Sequence, residues 1–128
     1  MNKIIKLYLT CIVLLSTYSI FSSVQEVSSH AELNTMLNRH NTVIIKFHNQ
    51  ACQFCHDHQA QSLVQGIINS FPEVKIIEVD IDKPGNKEIQ TKYQVNQLPT
   101  YFIIKNGKTH GPVHGNNYYG IENALRAN

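Results

Sequence analysis

The chain has 128 residues, with eleven Lys and Arg, nine Asp and Glu, seven His and a formal charge of +2. That length builds one ordinary domain with its own core and excludes a multidomain assembly. Lys3 and Lys6 carry the whole positive excess, so the remaining chain is near neutral and offers no basic face for nucleic acid.

Those two lysines precede an apolar run from Leu7 to Leu15, which is followed by Ser16, Thr17, Ser19, Ser22 and Ser23. This is the layout of a secretory signal peptide cleaved between Ser19 and Ser23, with an uncleaved membrane anchor as the alternative. It sets residues 1–23 apart from a domain over 24–128 and places that domain in the periplasm or another extracytoplasmic space. Cys11 lies inside the apolar run and is read as inert, because Tyr8-Leu9-Thr10 before it is a poor lipoprotein acceptor motif.

Ser22 to Val27 reads as a short first strand. Ser29 with Glu32 makes a capping box, and Leu33, Met36 and Leu37 continue at helical spacing, so a helix is expected over 30–39 with Met36 filling the core. Thr42 to His48 is an apolar, β-branched run of the kind buried on both faces of a sheet. Cys52-Gln53-Phe54-Cys55 follows it, and Ala60, Val64, Ile67, Ile68 and Phe71 then trace one face of a helix that Pro72 ends.

Val74 to Val79 is the next strand, parallel to the first buried one because a helix crosses between them. A short helix over Asn86–Tyr93 leads to a strand at Thr100–Ile104, a hairpin at Asn106-Gly107 and a return strand at Thr109–Val113. Gly115 breaks that strand, and Ile121, Ala124 and Leu125 mark a last helix. The order βαβαβαββα predicts an α/β fold with a central mixed sheet of four to five strands flanked by helices.

Strand, loop, then two thiols on the first turn of a helix is an arrangement for redox chemistry. Cys52 would sit at a helix N-terminus, where the dipole and unpaired N–H groups favour thiolate. Cys55 lies three residues on, within reach of a disulfide, so one thiol attacks and the other resolves. Two other chemistries share these letters. Cys52-Gln-Phe-Cys-His56 is also a c-type haem attachment pattern. Two thiolates with His48, His56, His58 or His114 also form a donor set for copper or zinc.

On the Cys-x-x-Cys after a strand and on Val95-Asn96-Gln97-Leu98-Pro99-Thr100, the chain resembles the thioredoxin family from residue 24 onward. Val79-Asp-Ile-Asp82 and Phe102-Ile-Ile-Lys-Asn-Gly107 fall where that family has them. The resemblance implies a thioredoxin fold and a monomeric thiol–disulfide oxidoreductase without bound cofactor or metal. It implies cysteine pairs of other proteins, exported ones and possible apocytochromes among them, as substrates, and a separate redox partner that recharges the dithiol.

It assigns Cys52 as nucleophile, Cys55 as resolving thiol, and a cis Leu98–Pro99 bond, with Thr100 beside it, as a substrate-docking site; Phe54 and Ala51 beside the thiols would add an apolar docking surface. His48 and His114 flank the dithiol and would tune its charge. The chain also departs from the family. Ala51 replaces the usual tryptophan, and Gln53-Phe54 the common Gly-Pro. The proline that often kinks the following helix is absent from His56-Asp-His-Gln-Ala-Gln61, so a straight helix is expected. Finally, Lys46 stands where the family has a buried acid, with Glu78 at the matching position of the next strand. This predicts an inverted pair within ion-pair or one-water distance beneath the dithiol, with Glu78 as proton acceptor for Cys55; the alternative is that each side chain reaches solvent.

Overall fold

The computed structural model describes residues 23–128. The expected signal peptide or anchor, with Cys11, lies outside the described residues apart from Ser23. Among the described residues, no helix is long and apolar enough to cross a membrane.

The chain runs β1 (Val24–Val27), α1 (His30–Arg39), β2 (Thr42–His48), a 3₁₀ turn at Gln53–Cys55 and α2 (His58–Ser70). It continues with β3 (Lys75–Asp80), a 3₁₀ turn at Pro84–Asn86, α3 (Lys87–Lys92), β4 (Thr100–Lys105), β5 (Lys108–His114) and α4 (Tyr118–Arg126). The five strands form one sheet in the order β1-β3-β2-β4-β5. β1, β3 and β2 are parallel, whereas β4 and β5 run antiparallel to their neighbours. This is the mixed, helix-flanked sheet that the element order predicts.

β2 lies at the centre and positions everything that follows. Its odd residues Val43, Ile45 and Phe47 pack with Leu33 and Met36 of α1, Ile89 of α3, and Ile77 and Val79 of β3. Ile44 packs on the other face with Leu63 and Ile67 of α2 and Ile121 and Leu125 of α4. Side chains alternate along a strand, so Lys46 and His48 fall on the face of Ile44, covered by α2. Met36 is core filling, as its helical spacing predicts.

Local signals account for most boundaries. Ser29 Oγ accepts from Glu32 N–H, as a capping box requires, but the Glu32 carboxylate accepts from Ser28 N–H rather than from Ser29. Asn106 and Gly107 both have positive φ, of 50° and 78°, which matches the hairpin read from that dipeptide. The predicted helix over 86–93 divides into a 3₁₀ turn and α3 because Asn86 is drawn inward. Its fully buried amide donates to the Val27 carbonyl at 3.0 Å and the Asp80 carbonyl at 2.9 Å.

Asn86 therefore ties the end of β1 to the end of β3. Asn86→Ala should lower unfolding free energy by about 1–3 kcal/mol, since one buried and one part-buried carbonyl lose their donor. Chemical denaturation measures this, and a loss below about 0.5 kcal/mol would show that water replaces the amide without cost.

Candidate active site

The dithiol follows β2 through a short loop. Asn49 fixes its start, since the Cys52 N–H donates to Asn49 Oδ1 at 2.9 Å and to its carbonyl at 3.3 Å. The Cys55 N–H then donates to the Cys52 carbonyl and closes the 3₁₀ turn. Cys52 and Cys55 are joined as a disulfide, with their Cα atoms 5.3 Å apart. Cys52 is partly exposed while Cys55 is 1% exposed, so only the first sulfur is open to an incoming disulfide. Phe54, 66% exposed, stands between them.

The thiols are not on the first turn of an α-helix, and the straight helix expected from the dithiol onward does not form. The chain leaves helical geometry at His56 (φ −126°, ψ −1°) and Asp57 (φ −74°, ψ 179°), and α2 starts only at His58. The cause is Asp57, whose carboxylate accepts the Ala60 N–H at 2.9 Å. In a continuous helix that N–H would go to the His56 carbonyl; a capping side chain competes with the backbone and wins. The dipole of α2 therefore begins beyond both sulfurs.

Beneath the turn lies a group of polar side chains from two strands. Lys46 is 4% exposed and its Nζ donates to the Cys55 carbonyl at 2.8 Å. Glu78 is its register partner on β3. The predicted pairing is half realised. Lys46, Glu78 and Cys55 line one open cavity of about 350 Å³, but no direct ion pair joins lysine to glutamate, because the ammonium is committed to the carbonyl. Burial lowers the Lys46 pKa, against the opposing pull of Glu78 and then Asp57.

His48 is 6% exposed, and neither ring nitrogen has a hydrogen-bond partner. Its Nε2 approaches Glu78 Oε2 at 3.9 Å, and its ring packs edge-on against His56 at 5.5 Å between centroids. Burial holds its pKa below 6.5; Glu78 and Asp80 oppose the shift, and Lys46 and His56 add to it. His56 itself is exposed, with Nε2 2.9 Å from the Asn49 carbonyl, so that nitrogen carries the proton.

The second predicted motif is also in place. Leu98–Pro99 is cis, and a further cis bond joins Gly111 to Pro112. The Pro99 carbonyl is not open to a substrate strand, since it accepts the Gly115 N–H at 2.9 Å. Thr100 is buried, its hydroxyl donating to the Gln97 carbonyl at 2.7 Å, with His114 Nδ1 3.2 Å away. His114 thus contacts the proline loop, and His58 is exposed on the first turn of α2. Among the described residues, no group of three or more His, Cys, Asp or Glu could hold a metal ion.

Sequence reading passed over Asn49, Asp57, Gln61 and Asn116. Only Asp57 had a legible signal, an Asx residue three before Ala60 at the head of an apolar helical pattern. The others act through tertiary contacts that no local pattern records.

This fold and a half-open dithiol define a redox protein of the thiol–disulfide exchange class. The thioredoxin family model matches residues 24–127, and the chain belongs to the thioredoxin family. It is 21% identical to mitochondrial Thioredoxin-3 of Saccharomyces cerevisiae over 108 residues, covering 84% of this chain and 82% of that protein. Thioredoxin-1 of the same yeast is 24% identical over 105 residues, covering 82% of this chain and 98% of the relative. Among solved structures, thioredoxin from Trypanosoma brucei brucei superposes with a TM-score of 0.71 at 30% identity, covering 86% of this chain and 94% of that one. The protein is a thiol–disulfide oxidoreductase.

Because the folded chain resists a proton on His48 that the unfolded chain accepts near pH 6.5, the contribution is fully present above that value. Stability should fall as pH drops below 6.5, by up to about 1.4 kcal/mol per pH unit from this residue. It levels off once the folded ring protonates too. Denaturation of His48→Leu across pH 5–7.5 should show a shallower loss than the unmodified chain, and an identical slope would refute the assignment.

Proposed function

We propose that this protein is an exported oxidoreductase that exchanges disulfides with cysteine pairs of extracytoplasmic proteins, recharged by a separate redox partner. The observation that carries the dithiol assignment is the asymmetry of exposure, with Cys52 reachable and Cys55 covered. Export rests on Lys3 and Lys6 ahead of the Leu7–Leu15 run.

In the reducing direction, the Cys52 thiolate attacks one sulfur of a substrate disulfide. A Cys52–substrate bond forms, the substrate S–S bond breaks and one substrate thiolate leaves. Cys55 then loses its proton and attacks Cys52 Sγ, which forms the Cys52–Cys55 disulfide and releases the second thiolate. The dithiol gives two electrons to the substrate, whose two departing thiolates take their protons from solvent. Glu78, in the cavity that Cys55 lines, is the acceptor for the Cys55 proton. The Lys46 ammonium, anchored on the Cys55 carbonyl, favours negative charge on the sulfurs. Exposed Phe54 and half-buried Leu98 receive the substrate segment, while buried Thr100 braces the proline loop from below. With the Pro99 carbonyl occupied, the backbone groups for strand pairing are those of Leu98.

Trapping tests the roles of the two thiols. Cys55→Ser should accumulate mixed disulfides on Cys52, whereas Cys52→Ser should accumulate none; the reverse pattern overturns the assignment. In the same assay Glu78→Gln should slow resolution at neutral pH by about 10²-fold or more, the usual scale of a lost general base. An unchanged pH profile would remove Glu78 from the mechanism. The reduction potential against glutathione sets the direction of exchange, reducing for a reductase fed by a membrane donor and oxidising for a disulfide donor. Fractionation of cells expressing the full chain tests export, with recovery inside the cytoplasm as the contrary result.

A further inference from the structure

The break at His56–Asp57 leaves three consecutive carbonyls, those of Phe54, Cys55 and His56, without the N–H groups a continuous helix would supply. Each is met by a side chain. Asn116 Nδ2 donates to the Phe54 carbonyl at 2.8 Å, Lys46 Nζ to that of Cys55 at 2.8 Å, and Gln61 Nε2 to that of His56 at 3.2 Å. The donors come from the β5–α4 loop, from β2 and from α2, so the turn bearing the dithiol is held from three sides.

Asn116 is the member that links the turn to the rest of the site. Its Oδ1 accepts from the Tyr101 hydroxyl at 3.2 Å, which orients the amide so that its N–H groups face the turn; the same Nδ2 lies 3.5 Å from Asp57 Oδ1. Tyr101 is 1% exposed, and burial raises its pKa well above the usual value, so the hydroxyl stays a donor. The residue before Asn116 is Gly115, whose N–H holds the Pro99 carbonyl. One loop therefore fastens both the redox turn and the proline loop.

We propose that Asn116, oriented by Tyr101, is a positioning residue for the dithiol: it holds the Phe54 carbonyl so that Cys52 and Cys55 stay poised to close their disulfide. The proposal rests on the oxidoreductase reading of the same site. Releasing the Phe54 carbonyl frees the turn, spreads the two thiols over more conformations and weakens the disulfide relative to the dithiol. Asn116 is neutral, so its removal acts on geometry and leaves the charge around the sulfurs unchanged, unlike removal of Lys46.

The test is equilibration with glutathione, in which two glutathione thiols reduce the Cys52–Cys55 disulfide and leave as one glutathione disulfide. For Asn116→Ala, the equilibrium constant for forming the Cys52–Cys55 disulfide should fall by about tenfold, roughly 30 mV toward a more oxidising potential. Tyr101→Phe, which keeps the ring and loses only the orienting hydroxyl, should move the constant the same way by less. Asn117→Ala is the control, since Asn117 caps α4 through the Gly120 N–H and does not touch the turn. It should lower the melting temperature and leave the constant unchanged.

A constant within twofold of the unmodified chain in folded Asn116→Ala would overturn the proposal. An equal shift in Asn117→Ala would also overturn it, by showing general loosening instead. If the dithiol of the unmodified chain does not equilibrate with glutathione at all, the oxidoreductase reading falls with it. Equilibration without an Asn116 effect removes the clamp alone.

Discussion

The bond from Lys46 Nζ to the Cys55 carbonyl is the constraint on which the site depends. An ammonium 4% exposed in a sheet is costly unless a hydrogen bond compensates for lost water. Glu78 stands beside it in register but does not close on it. The compensating acceptor is a backbone carbonyl, and one is free only because the chain stops being helical directly after the dithiol. Had α2 begun at Cys52, the Cys55 carbonyl would accept the Gln59 N–H inside the helix, and the lysine would lose the lone pair aimed at it. The charge on the central strand and the break in the chain above it therefore specify one another.

That dependence also separates what the sequence makes legible from what it hides. The apolar, β-branched run of β2, the Ser29 cap, the Asn106-Gly107 hairpin and the proline motif are local patterns, and the elements they imply are present with boundaries shifted by a residue or two. The parallel and antiparallel pairings follow from the connections between strands. The helix break was harder to read because its outcome rests on a competition. Asp57 offers an acceptor to Ala60, yet the break persists because Asn116, Lys46 and Gln61 satisfy the carbonyls it abandons. Two of those donors lie far away in sequence or on another strand, so no window of residues around the dithiol contains the answer. The inverted pair was half legible for the same reason. Strand register places Lys46 beside Glu78, but register does not say which acceptor the ammonium takes.

The electrostatics beneath the dithiol are arranged around a neutral ring. His48 has Glu78 and Asp80 on the neighbouring strand, Lys46 on its own strand and His56 against its face. Its nitrogens are unpaired, and burial keeps the proton off. A neutral imidazole leaves Glu78 without a charged partner at that edge of the cavity. Lys46 bonds to the backbone, so the ammonium and the carboxylate remain apart although their strands are adjacent.

The three donors on the redox turn differ in one respect that matters for a protein alternating between disulfide and dithiol. Asn116 and Gln61 are neutral, so the bonds they give are indifferent to charge appearing on the sulfurs. Lys46 is charged, and its bond is made to the carbonyl of Cys55, at the foot of the turn that carries both sulfurs. The ammonium is therefore held in place beneath the turn by a bond that does not involve the sulfurs. An acid at the strand position of Lys46 would repel a thiolate on that turn and would gain strength as proton acceptor from that repulsion. In this chain the acid stands on the next strand instead, at Glu78, with the cation at the central position. The position of one cation on the central strand thus fixes the geometry of the turn and sets a positive charge beneath the dithiol.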